Sequence, residues 1–186
     1  MSSLELVFET HSTSLDNEAG LASGWFDVDL SPLGERQARE LGQRRRDDLF
    51  DAVYCSDSRR TSFTAKIAFG GRGIPIVPDS RLRECNYGAL MRHPSAEVDS
   101  RRVDHISIPF PGGESYEDVA RRVEAWLDSV TRIYEGRRII VIGHRATFYA
   151  LEHLIDGTPL RDVIAAPWQW QPGWSYTVRR NRPERT

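Results

Sequence analysis

Short apolar runs alternate with amphipathic stretches along this chain. Leu4 to Phe8 is an apolar run of strand length, and polar chemistry begins abruptly at Glu9-Thr10-His11. Ser31-Pro32 has the form of a helix start, with serine as N-cap and proline in the first turn, and predicts a helix to about Asp48. Ala52 to Cys55 predicts a second buried strand. Ser56-Asp57 predicts the cap of a helix through about Phe69, ended by Gly70-Gly71-Arg72-Gly73. Ile74 to Val77 is a short extended piece. Residues 84–113 show no clear period and predict a loop with one short helix at most. Ser115 to Glu135 has the clearest helical period, with Val119, Val123, Trp126, Val130 and Ile133 on one stripe. Ile139 to Ile142 is fully apolar, as expected in the middle of a parallel sheet. Gly143-His144 follows, then a helix from about Ala146 to Ile155 ended by Gly157. Trp174 to Val178 predicts a last strand.

Strands alternating with helices predict an α/β fold: a mostly parallel central sheet with helices on both faces. In such sheets ligands sit beyond the carboxyl ends of the strands. His11 follows the first strand, His144 the apolar strand, and Ser56-Asp57-Ser58-Arg59-Arg60 the second strand. Topology alone therefore gathers two histidines and an arginine at one rim.

The chain has 186 residues, which fits one domain over 1–178, an irregular flap at about 85–113, and a short tail over 179–186. A net charge of -2 gives no electrostatic reason to expect a nucleic-acid partner. No apolar run is long enough for a membrane helix, and the acidic N-terminus does not read as a signal peptide. Cys55 and Cys85 make no disulfide framework, so the expected compartment is the cytoplasm. No His, Cys and Asp spacing resembles a zinc site, and no metal or cofactor is expected. Of the 25 basic residues only Lys66 is a lysine. That bias fits a GC-rich genome or an anionic ligand, and position must decide between them.

Two histidines with an arginine suit phosphoryl transfer. Neutral imidazole is a nucleophile, and guanidinium neutralises phosphoryl oxygens. A carboxyl group is then needed to protonate the leaving oxygen and to activate water, and Glu84 in Arg81-Leu82-Arg83-Glu84 is the candidate.

These residues stand in an order that resembles the histidine phosphatase superfamily, also called phosphoglycerate-mutase-like. The resemblance runs from about residue 4 to about residue 160. His11 stands where the family's Arg-His-Gly motif places its nucleophile, and Asn17 matches a phosphate-contacting asparagine. Gly24-Trp25-Phe26-Asp27-Val28-Asp29-Leu30-Ser31-Pro32-Leu33-Gly34 resembles the segment before the first helix. Ser56-Asp57-Ser58-Arg59-Arg60 followed by Thr64-Ala65 resembles the helix that carries a phosphate-binding arginine, here Arg60. Leu82-Arg83-Glu84 with Tyr87-Gly88 resembles the acid-bearing segment. Pro111-Gly112-Gly113-Glu114-Ser115 resembles the entry to the long helix, and Val141-Ile142-Gly143-His144 the strand before the second histidine.

The resemblance implies a metal-independent mechanism. His11 becomes phosphohistidine, Arg60, His144 and Asn17 bind the phosphoryl oxygens, and Glu84 is acid and then base. Ser23 and Tyr87 are further expected substrate contacts. The motif departs from the family at Thr10, where the family has arginine, at Ser12 for glycine, and at Thr13-Ser14 for Glu-Thr. A lost charge-assisted contact costs about 1.5–3 kcal/mol of phosphate affinity. The hydroxyls of Thr10 and Ser12 replace donors but not charge. Arg145 or Arg59 is the expected substitute cation, with Arg59 turned about 100° away from Arg60 on the helix.

The expected function is a phosphomonoesterase acting on a small phosphorylated metabolite. The alternatives are mutase-type transfer and a binding module that has lost catalysis. The segment between Glu84 and Pro111 is short, which favours an open site and hydrolysis. Arg92, Arg101 and Arg102 in that segment suggest either an acidic leaving group or a solvated flap. Arg44-Arg45-Arg46 reads as a solvated face balanced by Asp47-Asp48. His93 and His105 are expected in solvent, and His153 in a structural or exposed role. Trp168, Trp170 and Trp174 read as core packing, a homodimer contact or a substrate wall.

Overall fold

The computed structural model describes residues 3–179. Strand β1 (Ser3–Thr10) leads through a four-residue helix α1 (Leu15–Glu18) to α2 (Pro32–Arg44). Then come β2 (Ala52–Cys55), α3 (Arg59–Phe69) and β3 (Ile76–Pro78). The irregular segment holds α4 (Ser95–Arg101) between 3-10 turns. The chain closes with α5 (Tyr116–Ile133), β4 (Arg138–Gly143), α6 (Arg145–Asp156), α7 (Leu160–Ala165) and β5 (Trp174–Arg179).

The five strands lie in the order β3-β2-β4-β1-β5. All neighbours are parallel except β5, which runs antiparallel along β1. Because side chains alternate across a strand, β1 feeds two cores. Leu4, Leu6 and Phe8 pack with Trp126, Tyr149 and Ile139 on one face. Val7 packs with Leu41, Phe69 and Ile140 on the other. Helices α5 and α6 cover the first face, α2 and α3 the second. The expected α/β architecture is the observed one.

The capping serines act as their sequence positions predict at α2 and α5. Ser31 Oγ accepts from the Gly34 amide, and Ser115 and Asp118 form a reciprocal box. At α3 the N-cap is Ser58 rather than Ser56-Asp57, and its hydroxyl meets Thr61 Oγ1 at 2.7 Å instead of capping. Ile133, placed on the buried stripe of α5 by its period, is exposed at the last turn.

Helix α2 stops at Arg44, short of Asp48, and the arginines at its end correct a second expectation. Arg44 and Arg45 are not a solvated face: both reach the buried carboxylate of Glu9, at 3.0 and 2.7 Å. A carboxylate 2% exposed has to be paired, and these two guanidiniums pair it. His105 is likewise not free in solvent but stacks on Phe110 with ring centroids 3.9 Å apart. His153 takes a structural part, with Nδ1 2.9 Å from the Thr158 carbonyl. The expected tail begins inside β5 at Arg179, and its residues 180–186 lie outside the described residues. No described helix is long and apolar enough to cross a membrane.

Candidate active site

Parallel pairing brings the two histidines together. β1 and β4 are neighbours in a register that sets Thr10 opposite Gly143. The next residues are His11 and His144, and the His11 amide continues the ladder to the Gly143 carbonyl at 3.0 Å. Their rings meet edge to face with centroids 5.0 Å apart. Helix α6 starts directly after His144, so its N-terminal amides and positive dipole end open on the same rim. Thr147 Oγ1 accepts from the His144 amide and donates to the Leu82 carbonyl, which ties this turn to the segment carrying Glu84.

His11 Nδ1 lies 2.7 Å from the Ser12 carbonyl oxygen. A carbonyl only accepts, so Nδ1 carries the proton and Nε2 keeps its lone pair. Burial, then the positive charge of Arg60, push the His11 pKa from 6.5 down to about 3, against the Ser12 hydrogen bond. Burial and Arg60 also hold His144 well below its usual value. Both rings are therefore neutral at neutral pH.

This has a consequence for stability. An unfolded histidine takes up a proton near pH 6.5, and the folded His11 only near about 3. Below 6.5 the unfolded state binds more protons, so stability is intact above that pH and falls as pH drops toward 3. His11→Asn is expected to lose less stability than the wild type between about pH 7 and about pH 5, read from urea midpoints. Equal losses would contradict the folded-state shift.

Arg60 comes from the first turn of α3, behind β2. It is 2% exposed, donates to the Gly24 carbonyl at 2.8 Å and the Phe26 carbonyl at 3.2 Å, and sets Nη2 3.4 Å from His144 Nδ1. Burial lowers its pKa, with Glu84 the largest opposing influence, and a guanidinium stays charged under such a shift. Gly24 makes the close approach possible: its φ is +54°, and a Cβ there would press on Tyr87, Met91 and the Cys85 carbonyl. Glu84 follows the 3-10 turn at Ser80–Leu82. Its Oε1 accepts from the Cys85 amide at 2.7 Å, and its backbone carbonyl accepts from Trp25 Nε1 and Arg122 Nη2.

A cavity of about 320 Å³ brings together Thr10, His11, Asn17, Ser23, Arg60, Glu84, Tyr87, His144 and Arg145. Nine of the ten sequence-predicted residues thus line one cleft. The tenth, Ser12, lines a second, adjoining cavity of about 410 Å³ with Gln37 and Arg44. Thr10, His11 and Asn17 border both. Ser12 meets the site through its backbone, whose carbonyl holds His11 and whose amide donates to Thr64 Oγ1. Asn17 Oδ1 is engaged by the Ser14 amide and hydroxyl, which leaves its Nδ2 as the donor for a ligand. Ser23 gives its hydroxyl to Asp16.

The substitute cations are placed unequally. Arg59 turns outward into an ion pair with Asp29 at 2.7 Å. Arg145 lines the cleft, where Nε donates to Tyr149 Oη, Nη1 lies 3.5 Å from Asp99, and the guanidinium sits 5.1 Å over the Trp168 ring. Of the flap arginines, Arg102 lines the cleft, Arg92 pairs with Asp16 and Arg101 with Glu97. Burial raises the thiol pKa of Cys55 to about 11 and that of Cys85 further, so both thiols stay protonated. Among the described residues no group of three His, Cys, Asp or Glu side chains is placed to hold a metal.

The family model of the histidine phosphatase superfamily (branch 1) matches residues 6–178. The chain belongs to this superfamily. The match extends past the last recognisable motif and takes in most of β5. Among similar proteins, the probable phosphoglycerate mutase GpmB of Erwinia tasmaniensis is 35% identical over 164 residues, 84% of this chain and 76% of that one. The 2,3-bisphosphoglycerate-dependent phosphoglycerate mutase of Cytophaga hutchinsonii is 32% identical over 171 residues, covering 85% and 80%. Among solved structures, Bacillus stearothermophilus YhfR superposes with a TM-score of 0.79 at 29% identity, covering 91% of this chain and 88% of that one. The alpha-ribazole phosphatase from Shigella flexneri has a TM-score of 0.75 at 26% identity, covering 86% and 83%.

Sequence reasoning did not single out two further residues of the cleft. Asp99 and Ser95 line the cleft from α4, a helix too short to show a period. Trp168 and Trp170 line it from the loop before β5, so two of the three tryptophans take the substrate-wall position, while Trp174 packs on Phe8 and Phe148.

Proposed function

We propose that this chain is a phosphomonoesterase that works through a phosphohistidine intermediate on a small phosphorylated metabolite, without a metal. The observation that carries the reading is the state of His11. Its Nδ1–H is held by the Ser12 carbonyl, so the lone pair on Nε2 faces a cleft shared with Arg60, His144 and Glu84.

In the first step Nε2 forms a bond to phosphorus while the ester P–O bond breaks. Arg60, His144 and Asn17 Nδ2 take the phosphoryl oxygens. Glu84 gives its proton to the leaving alkoxide, and its Oε2 is the oxygen not engaged by Cys85. In the second step a water oxygen bonds to phosphorus as the N–P bond breaks, and the Glu84 carboxylate takes the water's proton. Phosphate leaves and His11 returns neutral.

Glu84→Gln tests the acid. An alkoxide leaving group needs the proton and a nitrophenolate does not. The variant is expected to lose roughly 10²–10⁴-fold in kcat/KM, which reports the step up to phosphohistidine, on an alkyl phosphate and far less on p-nitrophenyl phosphate. Equal losses on both esters would remove Glu84 from the role.

Mutase-type transfer is the second reading, favoured by the names of the sequence relatives. Incubation with a phosphoglycerate and analysis of products separates the two. Free phosphate supports the hydrolase, and an isomerised phosphoglycerate supports the mutase. Metal-independent release of phosphate, in the presence of a chelator, is the primary test of the reading.

A further inference from the structure

We propose that Trp170 is a specificity-determining residue of this site, and that the leaving group it selects carries a flat ring. The inference rests on the hydrolase reading and names a class of substrate for it.

The loop between α7 and β5 is pinned at both ends. Trp168 packs against Phe148 at 5.4 Å and Trp174 at 5.7 Å, and Arg145 occupies its ring face. At the other end Arg45 Nη2 donates to the Pro172 carbonyl at 3.1 Å. Gly173 follows with φ +89°, and a Cβ there would collide with the Arg45 guanidinium, which is itself fixed on Glu9. The loop is thus fastened to the buried ion pair behind His11.

Between these anchors Trp170 is 60% exposed, yet it lines the His11 cleft and the second cavity beside it. The other aromatic rings of the cleft are already paired. Tyr87 meets Phe110 at 5.2 Å, the two histidines meet each other, and Trp168 carries Arg145. Among the described residues lining this cleft, Trp170 is the aromatic side chain with no ring or cation partner. A large apolar face held beside a polar phosphoryl site, in a loop fastened on either side of it, suits a ring stacked on it. An aromatic or heteroaromatic ring offers such a face.

The test compares benzyl phosphate with butyl phosphate. Both release primary alcohols of similar acidity, so P–O cleavage is matched and the ring is the difference. The wild type is expected to favour the benzyl ester by about three- to tenfold in kcat/KM, the range of an aromatic pair. Trp170→Ala is expected to bring the ratio to about one, and Trp170→Phe to keep most of it. No benzyl preference in the wild type, or equal losses on both esters in Trp170→Ala, would overturn the proposal. Should neither ester be turned over, calorimetric titration with benzylphosphonate and butylphosphonate decides. Tighter benzylphosphonate binding that depends on Trp170 would keep the inference while the hydrolase reading fell. Equal affinities would overturn the inference as well.

Discussion

Arg60→Ala is expected to lower kcat/KM for any phosphate monoester by roughly 10²–10³-fold, the cost of removing one preorganised charge from a phosphoryl site. Thr10 raises the weight that falls on Arg60. The motif that this chain resembles has arginine there, and threonine brings a hydroxyl without a charge. The remaining cleft arginines are already committed: Arg102 and Arg145 share Asp99 and the Tyr149 hydroxyl. Arg60 is the guanidinium set against His144, held by the carbonyls of Gly24 and Phe26 and almost removed from water. Low local dielectric strengthens its pull on a phosphoryl oxygen. Arg60→Lys is expected to restore little, because an ammonium cannot span two carbonyls and a ligand in one plane. Steady-state kinetics on p-nitrophenyl phosphate checks both variants. A loss below about threefold in Arg60→Ala would move the phosphate-binding charge elsewhere, with Arg145 the first place to look.

His11→Asn is expected to remove turnover by roughly 10⁴–10⁶-fold, the scale on which a covalent nucleophile is lost. Asparagine keeps a donor for the Ser12 carbonyl and a similar volume, so the fold should persist. Arg60, His144 and Glu84 remain in place in this variant, and phosphate should still bind. Loss of turnover with retained phosphate binding, measured by calorimetry, is the expected pair of results. Residual activity within about tenfold of wild type would rule out His11 as the nucleophile.

The sheet and the paired histidines were readable from sequence for one reason. Buried strands are short apolar runs, and parallel strands deliver the residues that follow them to one rim. Leu4–Phe8 and Ile139–Ile142 mark two such runs, so His11 and His144 could be placed together across more than half the chain. The arginine followed from the same logic at the end of β2, with the resemblance choosing Arg60, while Glu84 came from the chemistry's need for a carboxyl beside the irregular segment. The pieces that escaped are those set by tertiary contact alone. Helices α1, α4 and α7 are shorter than the length at which a helix holds itself, so no period announces them, and only α4 was anticipated, as the one short helix of residues 84–113. Arg44 and Arg45 look like surface charge until Glu9 is seen buried beside them. Trp168 and Trp170 read as core, dimer contact or substrate wall, and the contacts of Pro172 and Gly173 with Arg45 that fasten their loop join residues far apart in sequence.

The most direct test of the account is to trap the intermediate. The protein is mixed with p-nitrophenyl phosphate, quenched in alkali, where phosphohistidine survives and phosphoserine-type esters are told apart, and read by intact mass and peptide mapping. One phosphoryl group on His11, absent from His11→Asn and accumulating in Glu84→Gln with the activated ester, is the predicted result. Turnover in the wild type with no phosphorylated protein at any quench time, or with the group on another residue, would contradict the assignment of His11 as the nucleophile.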